Sequence, residues 1–227
     1  MPEHDALSPS LPEEALPQFS KADLPTDGRD YPAEVQLRSR RLQLRGFGFR
    51  HVLELLQLGR EERVTRLLLD NRLDTLEDAM GLVVWANRIY RERPGLGLWR
   101  AADRSDRFIG MFSLVPLGTT MDVSIGVRLL PSAWGRGYAI EGGAALCTHA
   151  FETLGLADLV AHCAPDNRSV PPLLLRLGFG EIERGEQFGR PARRFRLARA
   201  DWRGLRPRRE MHPESTTRDG PAPTTGA

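Results

Sequence analysis

One stretch of this 227-residue chain limits its fold more than any other: Ile125-Gly126-Val127-Arg128-Leu129-Leu130-Pro131-Ser132-Ala133-Trp134-Gly135-Arg136-Gly137-Tyr138-Ala139. An apolar strand runs into a turn with two glycines, and a helical pattern opens at once behind it. From Gly137 to Leu154 the residues Ile140, Ala144, Cys147, Phe151 and Leu154 recur at spacings of four and three, and Gly155 supplies a C-terminal stop. Glycines let a ligand approach the backbone closely, and the unpaired N–H groups of a helix start, with their partial positive charge, suit a pyrophosphate. A phosphorylated ligand is the first expectation. Two phosphate templates do not fit. The P-loop needs a Lys and a hydroxyl after its second glycine, and none stands there. In the dinucleotide pattern G-x-G-x-x-G the third glycine would fall at Ile140, and no βαβ units precede the turn.

The rest of the chain reads as one domain between two tails. Residues 1–33 carry Pro2, Pro9, Pro12, Pro17, Pro25 and Pro32 among acids and small polar residues, and residues 206–227 are similarly rich in Pro, Ser, Thr and Gly, so both ends are expected to be disordered. Between them, Arg41–Arg45 reads as a half-buried strand, and Arg50–Leu58 and Glu61–Leu69 as short helices. A longer helix starts at Thr75, whose hydroxyl pairs with Asp78 as a capping box, and shows Leu76, Met80, Val83 and Tyr90 on one face. Leu98–Ala102, Phe108–Val115 and Asp122–Leu129 then form a meander of three strands. After the second long helix come a strand at Leu159–Ala164, a short helix at Pro172–Leu177, and closing strands at Glu181–Glu183 and Arg193–Leu197.

Lys plus Arg total 32 against 30 for Asp plus Glu, so the chain lacks the positive field of a non-specific nucleic-acid binder. Cys147 and Cys163, the only cysteines, sit among small or apolar residues and read as reduced core thiols. The acidic start has no basic segment followed by an apolar run, and the longest apolar run, Ala79–Ala86, is far short of the roughly 20 residues a membrane span requires. A cytoplasmic protein without a membrane partner is expected.

The turn Trp134-Gly135-Arg136-Gly137-Tyr138-Ala139 resembles the coenzyme A signature Q/R-x-x-G-x-G/A of the GNAT superfamily of N-acetyltransferases, with Trp in the place of Gln or Arg. The form W-G-x-G-Y-A followed by Ile140 and Glu141 is similar to the ribosomal-protein N-terminal (alanine/serine) acetyltransferase branch. Further stretches follow in family order across residues 34–205: Arg40–Arg45, Phe108–Gly110, Ile125–Leu129, Ala164–Asn167, Arg176–Phe179 and Leu197–Trp202. The resemblance implies an α+β fold, an α/β sandwich whose mixed, mostly antiparallel sheet of six to seven strands carries helices on both faces and splays its fourth and fifth strands. It implies acetyl-CoA as co-substrate, with the pantetheine arm along Val127, Arg128 and Leu129. The pyrophosphate would lie at Trp134, Gly135, Arg136, Gly137, Tyr138 and Ala139, with Asn167 also in contact.

Acetyl transfer requires the amine as free base and stabilisation of an oxyanion. The family's Glu on the fourth strand is here Ser124; Asp122, two residues earlier on the same strand face, is the candidate base, directly or through water, and is otherwise a strand-edge carboxylate. The family's N-x-x-S motif keeps Asn167 but has Val170 in the serine position, with Ser169 one residue early. The Tyr donor of other branches would fall at Leu174, which leaves Ser169 or water to protonate the thiolate. His162 on the fifth strand is a second group able to take a proton, and His149 lies on the polar side of its helix. No His, Cys and carboxylate cluster has metal-ligand spacing, so no metal is expected.

A site with a mild base favours an α-amine, because at pH 7 an amine of pKa about 8 is about one-tenth free base and a lysine only about one part in two thousand. A peptide or protein N-terminus is therefore the leading acceptor; a small-molecule amine (aminoglycoside, polyamine or amino acid) and a catalytically silent acyl-CoA-binding module stand as alternatives. The arginines from Arg190 to Arg209 leave ribosome association open, against a solvated strand face. Either a monomer or a homodimer is compatible with the sequence.

Overall fold

Period-two alternation builds the sheet. In the computed structural model, which describes residues 36–70, 73–117 and 122–205, Leu44 is buried between half-buried Gln43 and Arg45 on strand β2 (Gln43–Gly46). The remaining strands are β1 (Leu37–Arg38), β3 (Gly97–Ala102), β4 (Phe108–Pro116), β5 (Val123–Leu129), β6 (Asp158–Cys163), β7 (Gly180–Gln187) and β8 (Arg190–Ala198). They form one eight-stranded sheet in the order β1-β2-β3-β4-β5-β6-β8-β7, antiparallel throughout except for β5 beside β6. The α+β class is as expected, with eight strands instead of six to seven. The additional strand is β1, whose two residues are too few to show an alternation. The tails expected at 1–33 and 206–227 lie outside the described residues.

Among the described residues, five α-helices cover the two faces: α1 (Val52–Arg60), α2 (Glu62–Thr65), α3 (Leu76–Glu92), α4 (Tyr138–Thr148) and α5 (Val170–Leu177). The capping box is present: the Asp78 N–H donates to Thr75 Oγ1 at 3.1 Å, and the Thr75 N–H donates to Asp78 Oδ2 at 2.9 Å. Leu76, at the first helical position, is 49% exposed, so the buried face is Ala79, Val83, Ala86 and Tyr90. This face packs with α1 over Leu98 and Met111. The second short helix ends at Thr65, not near Leu69. Leu67, Leu68 and Leu69 are each half-buried, and Asp70 is drawn to the sheet by an ion pair with Arg128, so the segment leaves helical geometry to line a cleft.

On the opposite face α4 and α5 lie against Phe112, Ile125, Ala161 and Phe195. A Cβ on Gly142 would stand 2.2 Å from the Phe112 ring, so only glycine lets α4 come this close to β4. The helix continues through a π turn, His149–Thr153, and His149 is buried rather than on a polar side. Its Nε2 is 2.8 Å from the Gly95 carbonyl oxygen and its ring meets Trp99 edge-on; a single polar residue on a helix is buried at no loss when a carbonyl is in reach. Cys147 and Cys163 are buried free thiols, and burial pushes the Cys147 thiol up to about 12. The closing hairpin is longer than the sequence suggested, because Phe188 and Gly189 both take positive φ and make the tight turn that Asn-Gly usually signals.

Candidate active site

The site begins where the sheet opens. Strand β5 pairs with β4 along its whole length, from Gly110↔Leu129 to Pro116↔Val123, but meets β6 only at Ser124↔Val160. Strand β6 instead pairs with β8 along its length. Val127, Arg128 and Leu129 therefore lie beyond the last β5–β6 pairing, and the expected splay between the fourth and fifth strands of the sequence reading is here the gap between β5 and β6.

At the mouth of the gap, Pro131–Ala133 makes a tight turn, and the Trp134 indole N–H donates to the Leu129 carbonyl at 2.8 Å, tying the turn to the strand end. The ring remains 42% exposed, with the Arg63 guanidinium 4.9 Å from its centroid. Gly135 and Gly137 take φ of 71° and 76°, a region other residues enter at a cost of about 1–2 kcal/mol. Gly137 caps α4 without a side-chain hydrogen bond, so the first N–H groups of this 11-residue helix have no capping side chain.

Arg41 holds this turn in place. Its Nη1 donates to the Arg136 carbonyl at 2.9 Å, its Nε to Glu141 Oε2 at 2.6 Å, and its guanidinium lies 4.7 Å from the Tyr138 ring centroid. Glu141 Oε1 accepts from the Arg41 N–H and from Ser39 Oγ, each at 2.6 Å. Burial raises the Glu141 pKa, but the hydrogen bonds from Ser39 and Arg41 and the Arg41 charge outweigh it and hold the carboxyl below the usual range. The sequence reading passed over this pair, although Arg41 and Glu141 both fall in motif stretches; their contact spans 100 positions and has no local signature.

A cleft of about 2160 Å³ runs from Gly135 and Gly137 through the gap to Asp122, His162 and Arg194. Alternation places Ser124 and Arg128 of β5, and Asp122 just before the strand, on one sheet face, with His162 of β6 and Arg194 of β8. Walls come from Trp85, Arg88 and Ile89 of α3, from Arg66–Asp70, and from the β7–β8 turn. Arg128 is bound to Asp70, and Arg190 Nη1 donates to the Leu68 carbonyl at 3.2 Å, so both the floor and the hairpin hold the 66–70 wall.

Of the residues singled out from sequence, Asp122, Ser124, Val127, Arg128, Leu129, Trp134, Gly135, Gly137, Tyr138, Ala139, Asn167 and Ser169 all line this cleft. Arg136 does not; its side chain is exposed and its carbonyl serves Arg41. Asp122 Oδ2 accepts from Arg194 Nη2 at 2.5 Å, and Arg194 Nη1 lies 3.5 Å from Glu183. Asn167 Oδ1 accepts from the N–H groups of Ser169 (3.1 Å) and Val170 (3.3 Å), fixing the start of α5, and Ser169 is exposed. Thus Asp122 and Ser124 stand together at the start of β5, and Asn167 and Ser169 approach from the segment that leads into α5.

A family model for the acetyltransferase (GNAT) domain matches residues 41–180, a span that takes in the splayed strands and the whole glycine turn. The chain belongs to the GNAT acetyltransferase family. This acetyltransferase is 27% identical over 159 residues to the FsC-acetyl coenzyme A-N(2)-transacetylase of Aspergillus fumigatus, covering 66% of this chain and 67% of that one. Its fold is similar to that of the ribosomal-protein-S5-alanine acetyltransferase of Vibrio fischeri (TM-score 0.63, 14% identity, 75% of this chain and 100% of that chain). It is also similar to the spermidine N-acetyltransferase of Vibrio cholerae in complex with CoA and spermine (TM-score 0.60, 16% identity, 70% and 96%).

The arginines of the enzyme's last strand are largely paired: Arg193 with Glu181, which also takes Arg184 of β7, Arg194 with Asp122, and Arg196 with Asp158. They form a mixed-charge strand face instead of a continuous basic patch. Among the described residues, no helix is long and apolar enough to cross a membrane.

Proposed function

We propose that this enzyme transfers the acetyl group of acetyl-CoA directly to the α-amine at a peptide or protein N-terminus. The pantetheine arm pairs with the backbone of Val127–Leu129, and the pyrophosphate takes the N–H groups of Gly137, Tyr138 and Ala139. The glycines support this placement: Gly135 and Gly137 both take positive φ and both line the cleft at the start of α4, where helix N–H groups have no partner within the helix. Asn167 borders the same arm from the segment before α5. The amine enters from the other end of the cleft, over Ser124, and attacks the thioester carbonyl carbon. A C–N bond forms, the C–S bond breaks, and the thiolate receives its proton from the attacking nitrogen, through water or the Ser169 hydroxyl.

The observation that carries the choice of amine is the ion pair between Asp122 and Arg194, together with Ser124 on the same strand face. The Asp122 carboxylate is bound to the Arg194 guanidinium, and the Ser124 hydroxyl lies two residues along the same face. A carboxylate already engaged by a guanidinium favours an acceptor that is readily present as free base, and the free-base fraction of a lysine at pH 7 is about 200 times smaller than that of an α-amine. A small-molecule α-amine is the second reading, favoured by the Aspergillus relative, which is named for transfer to an N(2) position. Thiol release from acetyl-CoA, measured with peptides of varied first residue, amino acid amides and polyamines, separates the two. Turnover with peptides above the other amines supports the first reading, turnover confined to small amines supports the second, and turnover with polyamines alone contradicts both.

A further inference from the structure

The acceptor end of the cleft contains a titratable group that the proposed function has not used. His162 lines the cleft on β6, half-buried, directly across the β6–β8 pairing from Arg194 and two residues beyond Val160, where β5 and β6 part. Alternation puts it on the sheet face that carries Ser124 and Asp122. The charged groups acting on it come from three places: Asp122 from the residue before β5, Glu183 from β7 and Arg194 from β8. Arg194 is itself held between the two carboxylates, at 2.5 Å from Asp122 and 3.5 Å from Glu183. The guanidinium thus engages Asp122, whereas the imidazole stands beside the opening of the strands.

We infer that His162 is the proton acceptor for the incoming amine, with Asp122 and Arg194 as positioning residues that fix the charge around it. This rests on the acetyltransferase reading and adds the group that deprotonates the substrate. The acceptor arrives as an ammonium; one of its protons passes to the neutral imidazole as the lone pair attacks the thioester carbon. The second N–H proton leaves with the CoA thiolate, and His162 returns its proton to water. Burial, then the Arg194 charge, lowers the His162 pKa against the opposing pull of Asp122 and Glu183, so the ring is neutral and ready to accept at pH 7.

The sign of the pH dependence follows. With a neutral base acting on an ammonium, kcat/KM rises as His162 deprotonates, below the ordinary histidine value, and then levels off, since the free amine that replaces the ammonium at higher pH reacts without the base. Without the base only the free amine reacts, so the rate climbs with pH up to the amine's own pKa.

The test uses the full chain, acetyl-CoA and an alanine-led peptide amide, and compares the parent with His162→Gln and His162→Asn; the variant whose unfolding midpoint matches the parent is the one read. At pH 7 kcat/KM is expected to fall about 100-fold or more, with acetyl-CoA affinity by calorimetry unchanged. The deficit should shrink as pH rises, and added imidazole should restore part of the rate. A variant that keeps the parent's rate and profile overturns the inference. A variant that loses the same factor at every pH and does not respond to imidazole overturns it as well. A parent that releases thiol with no amine at all refutes the proposed acceptor reaction itself, which is a different result from an active parent with an equally active variant.

Discussion

Gly137 gives the sharpest test of where the pyrophosphate lies, because two substitutions there share one structural cost and differ in charge. At φ of 76° any L-residue pays about 1–2 kcal/mol in stability. The surroundings add little, since a Cβ would have Arg41 Nη2 at 3.4 Å and Ile140 Cγ2 at 3.9 Å. Gly137→Ala and Gly137→Glu should therefore lower the unfolding midpoint by similar amounts. They should differ in acetyl-CoA affinity. A carboxylate about 4 Å from a phosphate charge is repelled by about 1 kcal/mol in water and about 4 kcal/mol at the effective dielectric of a protein surface. Arg41, within reach of the new carboxylate, screens part of this, so the expected loss is near the lower end. Gly137→Glu should bind acetyl-CoA at least about tenfold more weakly than Gly137→Ala, or about 1.4 kcal/mol. The gap should narrow in high salt. Calorimetric titration beside thermal unfolding reads both quantities. Equal affinities for the two variants would remove the pyrophosphate from this helix start.

Glu141→Gln should remove about 1–3 kcal/mol of stability at pH 7, and the difference from the parent has a defined pH sense. Because the folded-state pKa of Glu141 is lowered, its contribution is present in full above the unfolded carboxyl value of about 4.3 and fades as pH falls through the folded value; denaturant titrations at pH 7 and pH 4 check this. Tyr90→Phe should destabilise by a similar amount without altering acetyl-CoA affinity. The buried hydroxyl accepts from the Phe47 N–H at 3.0 Å and donates to the Leu98 carbonyl, and neither partner belongs to the glycine turn; urea unfolding with parallel calorimetry would separate the two effects.

Local chemistry explains what could be read in advance. The Thr75–Asp78 capping box, the stop at Gly155 and the glycines of the α4 start depend on residues within a few positions of one another, and each appears where the pattern placed it. The splay was implied only by resemblance; no periodicity in Val123–Leu129 or Asp158–Cys163 says that the two strands will meet at a single pair. The contacts that set the site were not legible. Arg41 reaches Glu141 across 100 positions, Arg194 reaches Asp122 across 72, and Asp70 pairs with Arg128 across 58. In one dimension each of these is an ordinary surface charge. His149 was misplaced for the same reason, since the carbonyl that satisfies it belongs to Gly95, 54 positions away.

A single peptide carrying both a free N-terminal α-amine and one internal lysine tests the central claim most directly. Incubated with the enzyme and acetyl-CoA at pH 7, then fragmented in a mass spectrometer, it reports which nitrogen has received the acetyl group. With both amines on one molecule, differences in concentration drop out, and the free-base fractions alone favour the α-amine by about 200-fold. The account predicts one acetyl group per peptide, on the N-terminus. Acetylation of the lysine ahead of the N-terminus would contradict it.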